Sequence, residues 1–364
     1  MERETGKKLK RTIILGATGS IGRNAVDVVA THPGELAAVA TAALNSREAN
    51  ESAARRLGAK AYTGADAAVR AVEENDADIC LVAMTGLAAL APVLAAIRKG
   101  MDVALATKEV LVMAGRLVTA EARKRNVRII PVDSEHSAIF QCTGFSVQSV
   151  SRLVLTASGG PFLDAPADMS RVTPEQALAH PRWKMGPKPT IDSATMMNKG
   201  FEVAEASWLF GVDASRIDIL VHPESVVHSM VEFEDGATLA QLSPPDMRVA
   251  IQYALTWPDR LRADREKLNL ARLGTLTFRA LDEKRFPGPG AVRRAMAAGG
   301  CAAAAMAAAD ELAVNAFLEG RLGFADIVPL VEDCAAAAPA MECDSPEAVA
   351  EACRFAKEFC RCRL

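Results

Sequence analysis

Three short stretches carry residue types that do chemistry, at spacings that let them act together. Asp133-Ser134-Glu135-His136 places two carboxylates two residues apart. On an extended segment both point to one side, where they repel unless a cation neutralises them. Hard divalent ions such as Mg²⁺ or Mn²⁺ take this oxygen set; a capping or salt-bridging role suits the same residues. The second stretch is Asp192-Ser193-Ala194-Thr195-Met196-Met197-Asn198-Lys199-Gly200-Phe201-Glu202. On a helix, Asn198, Lys199 and Glu202 share a face. Asp192 and Ser193 read as N-cap residues, which puts Ser193 at a helix start, where an anion binds. A hydroxyl, an amide, an ammonium and a carboxylate then converge. That set suits a phosphorylated polyol with a metal near its hydroxyls; the plain alternative is a Lys–Glu surface pair.

The third stretch is Gly16-Ala17-Thr18-Gly19-Ser20-Ile21-Gly22, which follows an apolar strand and opens a helix. Three glycines at this spacing let the backbone turn tightly and approach a pyrophosphate, which the helix N-terminus favours. A turn needed only for close packing is the alternative. After the second strand, Ala42 to Arg47 contains no acid, and the first is Glu48. A missing ribose-binding acid and a nearby Arg47 favour the 2′-phosphate of NADP over NAD, unless Arg47 is a solvated helix residue. Ser158-Gly159-Gly160 resembles an anion nest. His180, Trp183, Met185 and Gly186 follow in a Pro- and Gly-containing loop of a length typical of lids. His222 and His228 read as structural, and Trp208 and Trp257 as core.

These residues need elements to position them. Candidate strands are Thr12–Leu15, Ala37–Ala43, Ala59–Thr63, Asp78–Met84, Asp102–Ala106 and Val127–Val132, alternating with helical segments such as 46–57 and 86–99. That alternation implies βαβ units and a parallel, doubly wound sheet. From Ser151 to Ser243 the strands read as antiparallel, with a hairpin at Glu234-Asp235-Gly236. Residues 257–289 read as a connection, and 291–298, 302–318, 324–337 and 346–360 as a small helical bundle. The fold class is therefore α/β: an N-terminal Rossmann-like parallel sheet, a central α+β catalytic domain and a C-terminal helical bundle. The expected divisions are 1–132 for the nucleotide, 133–260 for metal and substrate with a flexible loop at 158–189, a linker at 261–288, and 289–364.

Composition narrows the class further. The 364 residues are 50% hydrophobic and 24% charged, which excludes a disordered chain or a disulfide scaffold. A net charge of −3 leaves no basic field for nucleic acid or anionic lipid. The charged N-terminus, Met1 to Arg11, lacks a signal-peptide core, and no apolar run reaches membrane-span length. Cytoplasmic location follows as an expectation. The eight cysteines, six of them after residue 300, then read as reduced thiols.

Taken together, Gly16–Gly22, Pro131–His136, Ser158–Phe162, His180–Gly186, Asp192–Glu202, His222–Val231 and Gln241–Arg248 resemble the 1-deoxy-D-xylulose 5-phosphate reductoisomerases, in order and spacing, over nearly the whole chain. The Met196-Met197-Asn198-Lys199-Gly200 block is the most specific part. The resemblance implies isomerisation by retro-aldol cleavage and recombination, then NADPH reduction to 2-C-methyl-D-erythritol 4-phosphate. It implies Asp133, Glu135 and Glu202 as ligands of Mg²⁺ or Mn²⁺. It implies Ser158, Ser193, Asn198 and Lys199 around the phosphate. Lys108, Ser134 and His180 would contact the rest of the substrate, with Trp183 on the closing loop. Thr18, Gly19, Ser20, Ile21, Asn45, Ser46, Thr107, Glu109 and Gly186 would contact NADPH. It also implies a homodimer.

The sequence departs from the family pattern in four places, one of them a segment after Phe140 that is shorter than in many members. Ala106-Thr107-Lys108-Glu109-Val110 stands where Ala-Asn-Lys-Glu-Ser is usual, Leu44-Asn45-Ser46 where Gly-polar-Asn is usual, and Asp310-Glu311 where Asn-Glu is usual. Two other functions fit the motifs: a related NADP oxidoreductase acting on another sugar phosphate, and a non-catalytic paralog that senses nucleotide or phosphate.

Overall fold

The computed structural model describes residues 9–164, 168–183 and 185–364. The start of the charged N-terminus, and residues 165–167 and 184 of the expected 158–189 loop, lie outside the described residues. Two compact units divide the chain. The first comprises 9–107, 120–137 and 246–265; the second comprises 108–119, 138–245 and 266–364.

The first unit holds six strands: β1 Lys10–Leu15, β2 Leu36–Ala43, β3 Lys60–Thr63, β4 Ile79–Val82, β5 Asp102–Leu105 and β6 Ile129–Pro131. All pair in parallel, in the order β3-β2-β1-β4-β5-β6. This is the doubly wound order whose reversal lies between β1 and β4. Ile13, Ile14, Leu15, Ile79, Leu81, Val82, Val103 and Leu105 are fully buried, as expected of strands covered on both faces. Helices α1 Ser20–Thr31, α2 Arg47–Leu57, α3 Ala67–Glu73 and α4 Leu90–Arg98 make the crossovers. Two further helices, α5 Lys108–Arg125 and α6 Ser134–Thr143, carry the chain on; α5 is kinked at Ala114, which has non-helical backbone angles.

The second unit contains β7 Val150–Ala157, α7 Pro174–Ala177, α8 Pro187–Thr195, α9 Met197–Phe210, β8 Ile217–Val221, β9 Val227–Phe233 and β10 Thr238–Leu242. After α10 Met247–Thr256, which packs with the first unit, come α11 Leu270–Leu273 and β11 Arg279–Ala280. The second sheet runs β10-β9-β7-β8-β11. The expectation of antiparallel strands holds for β7/β9 and β9/β10, including the hairpin. It fails for β7/β8, which are parallel. The reason is α9: a helix between two strands returns the chain to the end where it began, so the next strand runs the same way. Residues 257–289 are also more than a connection. The stretch to Arg265 belongs to the first unit, and β11 pairs with β8.

The C-terminal helices are α12 Gly288–Ala298, α13 Ala302–Leu318, α14 Ile327–Ala336 and α15 Pro346–Arg361. Ala-rich α13 buries residues on most of its circumference, so it is the central helix of this group. Two expectations change here. Cys301 and Cys343 form a disulfide, with Cα atoms 5.3 Å apart. The segment between α14 and α15 brings Cys343 against the start of α13, a pairing that spacing alone does not disclose. Burial pushes the Cys80 thiol up, and Cys353 up to about 11, as suits inert packing thiols. Trp257 is only half-buried. It lines a cavity of about 350 Å³ at the amino-terminal edge of the first sheet, with the Arg128 guanidinium 5.0 Å from its ring centre. Trp208 does pack closely: a Cβ on Gly115 would fall 2.4 Å from its ring.

Candidate active site

The glycine turn sits where β1 meets α1. Gly16 has φ +80°, and a Cβ there would lie 2.1 Å from the Ala83 carbonyl oxygen. A Cβ on Gly22 would lie 2.0 Å from the Gly16 oxygen and 2.7 Å from the Ala17 Cα. Only hydrogen fits at either position, so α1 starts flush against the strand end. Its N-cap, Gly19, supplies no side-chain cap. Gly19 and Ser20 are exposed, and Thr18 and Ile21 half-exposed. The amino end of α1 is therefore open to an anion. Asn45 and Ser46 are exposed at the end of β2, where Ser46 precedes α2. Arg47 pairs with Glu51 at 3.1 Å and remains mostly exposed. Thr107 departs from the expectation. It is buried, and its hydroxyl donates to the carbonyl oxygen of Met84. Its side chain is thus committed to the sheet edge and does not present a hydroxyl to a cofactor.

Asp133 and Glu135 also need correction. The chain leaves β6 and enters α6 at once, with Ser137 N donating to Asp133 O at 2.8 Å. Glu135 lies in the first helical turn, not on an extended segment. Its carboxylate accepts from Ser134 Oγ at 2.5 Å. Two positions apart at a helix start do not share a side in the strand sense. His136, which the sequence reading passed over, is fully buried, and a ring nitrogen lies within 4.8 Å of an Asp133 carboxylate oxygen.

In the second unit the shared face on α9 is realised. Glu202 is 1% exposed. Its Oε1 accepts from Asn198 Nδ2 at 2.5 Å and from Lys108 Nζ at 3.2 Å. Its Oε2 accepts from Lys199 Nζ at 2.5 Å. Lys199 also donates to Thr156 O at 2.5 Å, and Lys108 to Asn198 Oδ1 at 2.8 Å. Two ammonium groups thus converge on the Glu202 carboxylate. A buried set of this kind is held together by the cost of leaving any member unpaired. Lys199 is buried, whereas Asn198 and Lys108 reach the surface. Glu205, one turn beyond Glu202, is also fully buried. A Glu-x-x-Glu spacing was its only sequence signal.

Ser193 does not begin a helix. Pro187 and Pro189 occupy the first turn of α8, where proline costs no hydrogen bond, so the helix starts at Pro187 and Ser193 falls in its last turn. Met196, at φ +60°, separates α8 from α9. The nest expected at Ser158-Gly159-Gly160 has φ +93° and +66° at its glycines. A Cβ on Gly160 would lie 2.9 Å from Ser193 O. Ser158 and Ser193 therefore lie near one another through this close backbone approach rather than through a helix dipole. Gly186 is the N-cap of α8 and is exposed; Glu109 is half-buried in the first turn of α5.

His180 Nε2 lies 3.2 Å from Ser158 Oγ. Its Nδ1 accepts from the backbone N–H of Trp183 at 2.9 Å and of Arg182 at 3.2 Å. Nδ1 is thus the acceptor nitrogen, and Nε2–H donates to the serine. Burial holds the His180 pKa below 6.5. A lowered base pKa means this arrangement is fully formed above 6.5 and is lost as pH falls through the folded-state value. For the substrate contact that the family resemblance implies at Ser158, we expect KM to rise below pH 6.5, and His180→Leu to abolish that pH dependence; a pH profile of KM with the same acid limb in both proteins would contradict this. Trp183 lies 6.4 Å, ring centre to ring centre, from His228. His222 Nε2 accepts from Val226 and Val227 N–H at 3.2 Å each, and His228 Nε2 lies 3.0 Å from Ser243 Oγ. Arg285, unremarked in the sequence, donates to the Phe162 and Leu163 carbonyls and so anchors the segment after the nest.

Comparison with known proteins gives a consistent answer. Three family models match: 1-deoxy-D-xylulose 5-phosphate reductoisomerase at 12–59 and 38–115, its C-terminal domain at 129–210, and the DXP reductoisomerase C-terminal domain at 242–359. A curated reductoisomerase of this name from Heliobacterium modesticaldum is 46% identical, covering 89% of this chain and 90% of the relative. One from Mycobacterium tuberculosis is 45% identical, covering 96% and 89%. Among solved structures, the Zymomonas mobilis reductoisomerase in complex with NADPH superposes with a TM-score of 0.90 at 40% identity, covering 97% of this chain and 98% of that one. A DOX-P reductoisomerase in complex with NADPH, fosmidomycin and magnesium gives 0.87 at 33%, covering 97% and 98%.

Proposed function

The chain belongs to the 1-deoxy-D-xylulose 5-phosphate reductoisomerase family, and from that premise we propose how its residues divide the work. The reaction is isomerisation of 1-deoxy-D-xylulose 5-phosphate and reduction by NADPH to 2-C-methyl-D-erythritol 4-phosphate, with Mg²⁺ or Mn²⁺ required. The observation that carries the assignment is the α9 face: a buried Glu202 gripped by Lys108, Asn198 and Lys199.

The glycine turn fits NADPH, because side chains are excluded where a pyrophosphate must approach and the α1 amino end carries no competing cap. Thr18 to Ile21, Asn45, Ser46, Glu109 and Gly186 are the residues we assign to it; bound there, NADPH supplies the hydride. Asp133, Glu135 and Glu202 offer the hard anionic oxygens that suit Mg²⁺ or Mn²⁺. When bound, the ion supplies Lewis-acid polarisation of the substrate oxygens.

The chain's own groups bind and orient. Ser158, Ser193 and Asn198 donate to the phosphate oxygens, and Lys199 contributes its charge from behind that face. This grip lies away from the reacting carbons, so its binding energy is spent on orientation. Lys108, beside Glu202, is placed to hold a substrate hydroxyl and to balance negative charge. Ser134 bonds Glu135 and keeps its carboxylate aimed. His180 holds Ser158 in its donor geometry, and Trp183 follows it to exclude water.

The sequence divisions at 1–132, 133–260 and 289–364 are retained as functional parts, with 246–265 assigned to the nucleotide unit. No helix among the described residues is long and apolar enough to cross a membrane, which accords with the cytoplasmic location we propose. A homodimer is proposed as well. β10 is an edge strand of its sheet, and Leu239 on it is 48% exposed, the kind of edge that another chain covers. We expect light scattering to report a dimer and Leu239→Lys to shift it toward monomer; a monomeric native chain contradicts this.

The functional reading is tested with a panel of ketose phosphates, NADPH and Mg²⁺, together with Mn²⁺ calorimetry. Turnover confined to 1-deoxyxylulose 5-phosphate is the expected result. Preference for another ketose phosphate would make the chain a related oxidoreductase. Nucleotide binding without turnover or substrate-dependent metal binding would make it a sensor.

A further inference from the structure

The roles above leave one buried ion cluster unused. Asp310 on α13 is fully buried. Lys188 and Asp192 lie one turn apart on α8, and Lys188 Nζ donates to Asp192 Oδ2 at 2.5 Å and to Asp310 Oδ2 at 2.6 Å. The same ammonium lies 5.5 Å from the ring centre of Phe201 on α9. Burial opposes the Lys188 charge, but the carboxylates of Asp192, Asp310 and Glu109 outweigh it and raise its pKa. Burial, and then the Asp310 carboxylate, push Asp192 well above the usual carboxylate range, against the pull of Lys188. Two buried carboxylates from different helices thus share one ammonium, whose side chain is 20% exposed. A cluster like this resists displacement, because moving any member strands a buried charge.

What the cluster holds in place is the working end of α8. Ser193 follows Asp192 directly, and its carbonyl abuts Gly160 so closely that no side chain fits between them. Three residues beyond Thr195, α9 presents Asn198. A slide or tilt of α8 would therefore separate Ser193 from the Ser158–Gly160 turn and from Asn198 together.

We propose that Asp310 is a positioning residue for the phosphate end of the substrate: through Lys188 it fixes α8, and with it Ser193, against the Ser158–Gly160 turn. The proposal rests on the phosphate assignment made above. Asp310→Asn keeps an acceptor for Lys188 and leaves Asp192 to balance it. Asp310→Ala removes the acceptor.

The test is steady-state kinetics at saturating NADPH and Mg²⁺, with inorganic phosphate as a competing ligand. Asp310→Ala is expected to raise substrate KM and the phosphate inhibition constant about tenfold in parallel, while kcat and the KM for NADPH stay within about threefold. Asp310→Asn is expected to restore both constants to within about twofold of wild type. An unmoved KM, a loss confined to kcat, or an Asn variant no better than Ala overturns the proposal. Asp310→Ser, with room for water beside Lys188, replaces Ala if Ala does not fold; if neither folds, the cluster is structural only and the proposal falls. Should the wild type prove inactive on this substrate, the functional reading has failed separately. Calorimetric phosphate binding to the same variants then still decides the role of Asp310.

Discussion

Glu202→Gln lowers kcat by more than about a hundredfold and leaves NADPH affinity within about twofold of wild type. The carboxylate is 1% exposed and takes hydrogen bonds from Lys108, Asn198 and Lys199. The amide keeps the shape but loses the charge. It also turns an NH₂ group toward donors on one side, so at least one ammonium loses one of its acceptors. Breaking a buried pair this way costs about 3–5 kcal/mol, and the variant loses an anionic oxygen proposed to hold the divalent ion. NADPH affinity is spared because the glycine turn lies in the other unit. Steady-state kinetics, fluorescence titration with NADPH and a thermal melt separate these effects. A near-normal rate would remove Glu202 from the assigned role.

Gly22→Ala acts at the other end of the chemistry. Its Cβ would fall 2.0 Å from the Gly16 oxygen and 2.7 Å from the Ala17 Cα. Both are backbone atoms, so no side chain can rotate away. α1 must retreat from the turn, and its free N–H groups lose their aim at a pyrophosphate. NADPH affinity is expected to fall at least about a hundredfold, equivalent to about 2.7 kcal/mol. Gly34→Ala is the matched control, since nothing lies within 4 Å of its added Cβ; it should bind NADPH normally. Retained NADPH affinity in Gly22→Ala would mean that the turn serves packing alone.

The sequence made local features legible. Five of the six parallel strands carry apolar runs between helical segments, as buried parallel strands do, whereas β3 is Lys60-Ala61-Tyr62-Thr63 with its first two residues exposed. The Ala-rich C-terminal helices and the β9/β10 hairpin are equally local. The Asn198–Lys199–Glu202 face follows from helical spacing alone. What stayed hidden depends on partners far along the chain. The β7/β8 direction is set by the crossover through α9. Ser193 reads as a helix start until Pro187 and Pro189 are recognised as the first turn of α8. Thr107 offers a hydroxyl in the sequence and spends it on Met84 O in the fold. Cys301 meets Cys343, and Lys188 meets Asp310, across separations that no periodicity encodes. His136 and Glu205 stand three residues beyond recognised acids, a spacing that becomes informative only once both segments are known to be helical.

One chain couples a metal-dependent rearrangement of a phosphorylated ketose to NADPH oxidation. The direct measurement follows NADPH absorbance in the purified protein when 1-deoxyxylulose 5-phosphate is added with Mn²⁺, with NADH and a chelator as parallel arms. Substrate-dependent loss of NADPH, a slower rate with NADH, and no loss after chelation are the expected results. Absence of turnover with every divalent ion tried, or turnover undiminished by the chelator, would contradict it.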